Sequence, residues 1–207
     1  MVHAPPSPPG PPMTILETAR LRLEPCAPEH LEGLHAMNRR PEVMRYIGSG
    51  EPETLEGTQR MVELVQRCWA HFGFSWWTFI DRASGRVAGA GAVQHLRPEP
   101  QRPADWDQLR AYPLELGWRL HPDFWRLGLA SEAAERMAGF AFEDLAAPEL
   151  YAVRHPDNTA SGRVMDRLGM QALGLQRWYG EMLAAHRVSR DAWQTRQEAR
   201  EKARSAQ

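Results

Sequence analysis

The stretch Leu114–Leu145, LELGWRLHPDFWRLGLASEAAERMAGFAFEDL, decides the fold. Leu114, Leu116, Trp118 and Leu120 alternate with Glu115, Gly117 and Arg119, the period-two pattern of a strand. The turn HPDFWRLGLAS follows, and then Ala133, Ala134, Met137, Phe140 and Ala141 recur at helical spacing. The helix is predicted to start near Gly128–Ser131. Free backbone N–H groups and the positive end of the helix dipole converge there. Such a start suits a phosphate group. It is neither a dinucleotide fingerprint, for there is no G-x-G-x-x-G, nor a P-loop, for no Gly-Lys-Ser/Thr follows.

Trp125-Arg126-Leu127-Gly128-Leu129-Ala130 resembles the pyrophosphate loop of the GNAT superfamily of acyl-CoA N-acyltransferases, Gln/Arg-x-x-Gly-x-Gly/Ala. Gly128 and Ala130 fit, and small residues let the backbone approach the phosphates. Trp125 departs from the usual Gln/Arg, although Arg126 follows it directly. HPDFW, the loop and Ser131-Glu132-Ala133 resemble the ribosomal-protein N-terminal alanine acetyltransferase-like branch. A second motif lies in the family's order. Leu150 to Ser161, LYAVRHPDNTAS, resembles the next strand and the Asn-x-x-Ser start of the following helix. Leu168-Gly169-Met170 resembles the Leu-Gly-Phe that closes it.

The resemblance implies an α/β (α+β) fold: one mixed, mostly antiparallel twisted sheet with a splayed parallel pair and helices on both faces. It implies transfer of an acetyl group from acetyl-CoA, as cosubstrate, to a primary amine by direct attack in a ternary complex. The acceptor is a protein N-terminal amine or a small-molecule amine. The alternative is a catalytically weak acyl-CoA-binding sensor or scaffold module. By the same resemblance, Trp118, Arg119 and Leu120 supply backbone contacts to the pantetheine arm. The amides of Arg126, Leu127, Gly128, Leu129, Ala130 and Ser131 take the pyrophosphate, with Asn158 a further cofactor contact. Many members protonate the leaving thiolate with a tyrosine seven residues after the motif Asn. Here that position is Met165. The ribosomal-protein branch uses the motif serine, which matches Ser161, and the other reading of Ser161 is a helix-start residue capping local amides.

An alkyl amine is mostly protonated at neutral pH, its reference pKa being about 10.4, so a base is useful. Glu115 lies on the polar parity of its strand and matches the position where several members place a glutamate. Its other reading is an ion pair with Arg119. Glu181, in the terminal hairpin, is a looser candidate that also reads as a plain turn residue.

Outside these motifs the chain is bland. With 207 residues it can bury a sizeable core, and a net charge of -1 argues against a dedicated nucleic-acid binder. Cys26 and Cys68 form no CxxC, and the eight histidines no HExxH, so no metal is expected. No apolar run suits a membrane span or a signal peptide, so a cytoplasmic monomer or homodimer is expected. Residues 1–13, with six prolines, read as a disordered Pro-rich tail. Residues 14–190 form the N-acetyltransferase domain, and 191–207 a polar helical tail with little apolar face.

Between tail and central motif, Thr18–Pro25 is predicted as the first strand. Pro28 opens a helix that Pro41 ends. Pro52 and Glu53 open a second, with Leu55, Met61, Leu64 or Val65, and Cys68 inward. Strands at Trp76–Ile80 and Arg86–His95 flank a Gly85 turn. Gly89 and Gly91 point to a bulge or a close backbone approach. The connection Arg97–Pro113 is long, and Trp106 and Tyr112 either cover the acceptor or pin the loop. Ala172–Gln176 and Met182–Val188 are the last strands.

Overall fold

Alternating apolar residues set eight strands in the computed structural model, which describes residues 14–205. They are β1 (Leu16–Glu17), β2 (Leu21–Pro25), β3 (Trp76–Asp81), β4 (Val87–His95), β5 (Leu114–Leu120), β6 (Glu149–Arg154), β7 (Gln171–Trp178) and β8 (Glu181–Ser189). One sheet results, in the order β1-β2-β3-β4-β5-β6-β8-β7. Every neighbouring pair is antiparallel except β5 and β6, which run parallel. The helices around it are α1 (Leu31–Asn38), α2 (Pro41–Met44), α3 (Leu55–Phe72), α4 (Leu129–Glu143), α5 (Thr159–Arg167) and α6 (Arg190–Ser205). The fold class expected from the sequence is the one observed. The Pro-rich segment 1–13 lies outside the described residues.

Strand β4 is the middle of the molecule. Ala88 through Val93 are all buried, so both faces of the sheet are covered there. Its glycines make this possible. A Cβ on Gly91 would lie 2.5 Å from the Phe79 ring and 2.8 Å from Met137 Cε of α4. On Gly89 it would lie 2.5 Å from the Arg119 carbonyl. A bulge also occurs, the register slipping at Phe79/Ile80 against β4. Against this sheet α4 buries Leu129, Ala133, Ala134, Met137, Ala138, Phe140, Ala141 and Phe142. Small residues on that stripe let the helix sit close, and the larger ones fill the space between.

Local geometry departs from the sequence reading in four places. The strand expected over Thr18–Pro25 is β2 and starts only at Leu21, because Thr18 lies in the turn that follows β1. The Thr18 amide donates to Leu21 O (2.9 Å) and its hydroxyl accepts from the Leu21 amide (2.8 Å), closing a tight turn. Pro41 opens α2 at its first turn, where its missing N–H costs nothing. Helix α3 is capped by Thr54, whose hydroxyl accepts from Gly57 N at 3.0 Å. It buries Thr58, Val62, Val65, Cys68 and Trp69, while Leu55 is exposed. The inward stripe thus begins one turn later than predicted, at Thr58, Leu55 being the first, exposed residue of the helix. Finally, α6 is anchored: Trp193 is 3% exposed and packs on Phe142, ring centroids 5.6 Å apart.

Candidate acyl-transfer site

Parallel strands β5 and β6 pair only at Leu114↔Leu150 and Glu115↔Tyr151. Beyond that point β5 stays with β4 as far as Leu120↔Gly89. Meanwhile β6 stays with β8 as far as Arg154↔Ala184. The edges of Leu116–Leu120 and Ala152–Arg154 therefore separate, leaving β5 backbone donors and acceptors free for an extended ligand. Trp118 and Leu120 turn their backbone groups toward this edge, Leu120 O already accepting from Trp125 Nε1, whereas the Arg119 carbonyl lies against Gly89 of β4.

The turn after β5 carries two left-handed residues, Arg126 (φ 62°) and Gly128 (φ 81°). Gly128 is the N-cap of α4. Only glycine adopts that φ without strain. The amides of Leu129, Ala130 and Ser131 form the first turn of α4 and have no intrahelical acceptor. Trp125, Arg126, Leu127 and Gly128 are exposed, whereas Leu129 is buried. Arg20 braces the turn from β2's approach. Its Nη1 donates to Leu127 O at 2.8 Å and its Nε to Glu132 Oε2 at 2.8 Å. The Glu132 carboxyl also accepts from Thr18 Oγ1 at 2.6 Å and the Arg20 amide at 2.9 Å. Those bonds hold its pKa below the usual carboxylate range despite partial burial. The cradle thus has fixed walls, and its open donors suit a diphosphate. Trp125 is not a diphosphate ligand here: its Nε1 donates to Leu120 O at 2.8 Å.

Across the splay, Asn158 Oδ1 caps α5 by accepting the Ser161 amide at 3.2 Å. The helix start is capped by Asn158, leaving the Ser161 hydroxyl with no hydrogen-bond partner among the described residues. Met165 is in the core, 1% exposed.

Register places Trp76, Ala92 and Gly117 side by side, and Gln94 beside Glu115. On this face a Cβ at Gly117 would meet nothing within 4 Å, so the strand opens onto empty space there. Glu115, 5% exposed, stands at one end of that space. It makes no ion pair with Arg119 among the described residues; its Oε2 accepts instead from Tyr179 Oη and from Gln94 Nε2 (3.1 Å). Gln94 Nε2 also reaches Tyr179 Oη at 3.2 Å, and Gln94 Oε1 accepts from Trp76 Nε1 at 3.2 Å. Burial pushes the Glu115 carboxyl above the usual carboxylate range, against the pull of those two hydrogen bonds. Burial, and then the neighbouring carboxylate, push the Tyr179 phenol far up, so it remains a donor.

Tyr179 was not among the residues singled out by sequence. It sits in the β7–β8 turn at φ 55°, 64 residues from its partner Glu115. The turn docks on the start of the 97–113 connection through Tyr179 N→Arg97 O (2.9 Å) and Gly180 N→Pro98 O (2.6 Å). The Arg97 guanidinium covers the Tyr179 ring at 4.7 Å. The only sequence cue is the polar aromatic turn itself. Glu181, the looser base candidate, is exposed at the start of β8. Trp106 pins the connection to the end of α3, stacking on Phe72 at 6.2 Å. No group of three or more His, Cys, Asp and Glu among the described residues could hold a metal ion.

Comparison with known proteins agrees with this geometry. The family model "Acetyltransferase (GNAT) domain" matches residues 20–171. The chain is 31% identical over 156 residues to an Aspergillus fumigatus "FsC-acetyl coenzyme A-N(2)-transacetylase", a match covering 75% of this chain and 64% of that protein. It is 27% identical to the uncharacterized N-acetyltransferase YoaA of Bacillus subtilis, covering 80% of this chain and 87% of that one. Among solved structures, RimL, a ribosomal L7/L12 alpha-N-protein acetyltransferase in complex with coenzyme A, superposes with TM-score 0.68. The overlap is 86% of this chain and 99% of that one at 15% identity.

Proposed function

The chain belongs to the GNAT acetyltransferase family, and from that premise we propose that it moves an acetyl group from acetyl-CoA to a primary amine. The observation that carries this reading is the conjunction of the parted β5/β6 edges, the α4 amides and the buried Glu115 around one opening. The diphosphate rests on the amides of Arg126 to Ser131, with the Arg126 guanidinium adding charge. The pantetheine arm lies along Trp118–Leu120, and Asn158 faces it across the gap. A β5 backbone N–H receives the carbonyl oxygen as it gains charge.

The amine nitrogen attacks the thioester carbon, forming the C–N bond, and the C–S bond then breaks. Glu115, directly or through one water, takes the proton that the nitrogen sheds. Its Oε2 is occupied by Tyr179 and Gln94, which leaves Oε1 to face the acceptor. Ser161 gives a proton to the departing sulfur and is reprotonated by solvent water, to which Glu115 in turn releases the proton it took. The amine acceptor is a small molecule or a protein N-terminus; coenzyme A in the RimL complex and the N(2) position in the fungal relative's name are compatible with either.

Thiol release measured with acetyl-CoA over a panel of amines and peptides tests the reading. Release with at least one acceptor is expected. Tight coenzyme A binding without release for any acceptor would identify a binding module instead.

A further inference from the structure

We propose that the acceptor is an amine that also carries a carboxylate, and that the Arg119 guanidinium binds that carboxylate at the far end of the Gly117 opening. This rests on the acetyl-transfer reading above and narrows its substrate. The Arg119 side chain is a cation without a counter-ion. Its Nε is buried with no hydrogen-bond partner. Among the described residues it makes no ion pair or hydrogen bond, and its only close neighbour in kind is the Trp76 ring, 4.9 Å from Cζ. Desolvation is severe enough to lower its pKa to about 10. Two groups act on it electrostatically. Cys26 is a neutral thiol at pH 7, burial having pushed it up to about 11. Glu53 lies outside ion-pairing distance. A ring face offsets only part of the desolvation of a guanidinium, so the site is completed by an anion.

Geometry fixes where that anion sits. Glu115, Gly117 and Arg119 share one face of β5, at strand spacing of about 3.3 Å per residue. Trp76 is level with Gly117. A guanidinium at the Trp76 ring therefore reaches across β4 at the level of the Gly117 opening, while Glu115 stands on β5 one position further along the same face. A molecule with an amine and a carboxylate a few bonds apart matches this pair of ends: amine to Glu115, carboxylate to the bidentate fork of Arg119.

Other cations act at the amine end. Arg97 acts on Glu115, and Arg97 and Arg102 both act on Tyr179. Arg97 Nη1 and Arg102 Nε are buried without hydrogen-bond partners. These cations stand at the Glu115 end, where they disfavour the protonated ammonium, which leaves less proton abstraction for Glu115 to do.

Steady-state kinetics on the full chain decide it. Acceptors are α- and ω-amino acids, their carboxamides, and short peptides with and without an acidic side chain near the N-terminus. The expected result is at least a tenfold preference in kcat/KM for carboxylate over carboxamide, about 1.4 kcal/mol. Whether amino acids or acidic peptides show it distinguishes the two sources of the carboxylate. Arg119→Gln should raise KM for the carboxylate acceptor and bring the ratio close to one; Arg119→Lys should keep part of it. Thiol release with equal rates for carboxylate and carboxamide overturns the anion site alone. No release from any acceptor overturns the parent reading, and this one with it. The wild-type ratio needs no variant, so a poorly folding Arg119→Gln leaves the test intact.

Discussion

Burial without an ion pair raises the Glu115 pKa above the usual carboxylate range, and one proton then links activity to stability. As the proposed base the group must be ionised, so kcat/KM should rise with pH through that elevated pKa. Tyr179→Phe removes a donor that favours the carboxylate, which should move the acid limb to higher pH. Glu115→Gln should abolish the limb and lower kcat/KM by about 10²-fold. A pH–rate profile of the three proteins checks all of this, and an unmoved limb in Tyr179→Phe refutes the coupling. For stability the sign is the reverse of the ion-paired carboxylate case. The folded pKa lies above the unfolded one, so the folded state binds more protons in between. The stabilising contribution is complete below the unfolded pKa and lost as pH rises through the folded one. Glu115→Gln should therefore flatten that loss in denaturant titrations. Ser161 offers a second residue-scale test. Its hydroxyl is free of local bonds, so Ser161→Ala should lower kcat by about 10- to 100-fold with coenzyme A affinity unchanged.

Among the elements, α4 and its approach turn form the proposed cofactor cradle, and α6 is an anchor of the core. Gly128→Glu brings a carboxylate and a side chain into the diphosphate cradle at φ 81°, so coenzyme A affinity should fall by more than tenfold in calorimetry. Gly128→Ala separates the two causes: it introduces the backbone strain, about 1 kcal/mol, without the charge. Removal of the buried indole in Trp193→Ala should cost about 3 kcal/mol in urea unfolding, because α6 docks on Phe142 through it. That anchor was not legible in sequence, where a single tryptophan among alternating charges gives no stripe. The strand–turn–helix of Leu114–Leu145 was legible because each periodicity there serves one neighbour. The parity of Glu115 was legible for the same reason. Its partners were not, because Gln94 and Tyr179 come from β4 and the β7–β8 turn, and only the folded sheet makes them adjacent. On α3, Val65 and Cys68 are buried as expected, and only the start of the stripe was misjudged, Leu55 being apolar but exposed as the first helical residue.

At the scale of the whole molecule, a splayed pair in the middle of a sheet is an interruption of its own hydrogen bonding. Strand β5 gives up its ladder to β6 after Glu115, and the core on the α4 side continues beneath the gap without a break. A ligand arm that lies on the free β5 edge restores part of the missing ladder and ties the β1–β5 half to the β6–β8 half. Coenzyme A should therefore stabilise the fold as a unit. At a concentration 100 times its Kd the linkage contribution is about 2.7 kcal/mol. For a chain of this size that corresponds to a rise in Tm of about 5–10 °C. Thermal unfolding with increasing coenzyme A measures it. The shift should grow with the logarithm of concentration and be largely absent in Gly128→Glu. It should persist in Glu115→Gln, whose side chain lies on the face of β5 proposed for the acceptor. Coenzyme A that leaves the wild-type transition unmoved at millimolar concentration would remove the diphosphate cradle and the β5 edge together as its binding site.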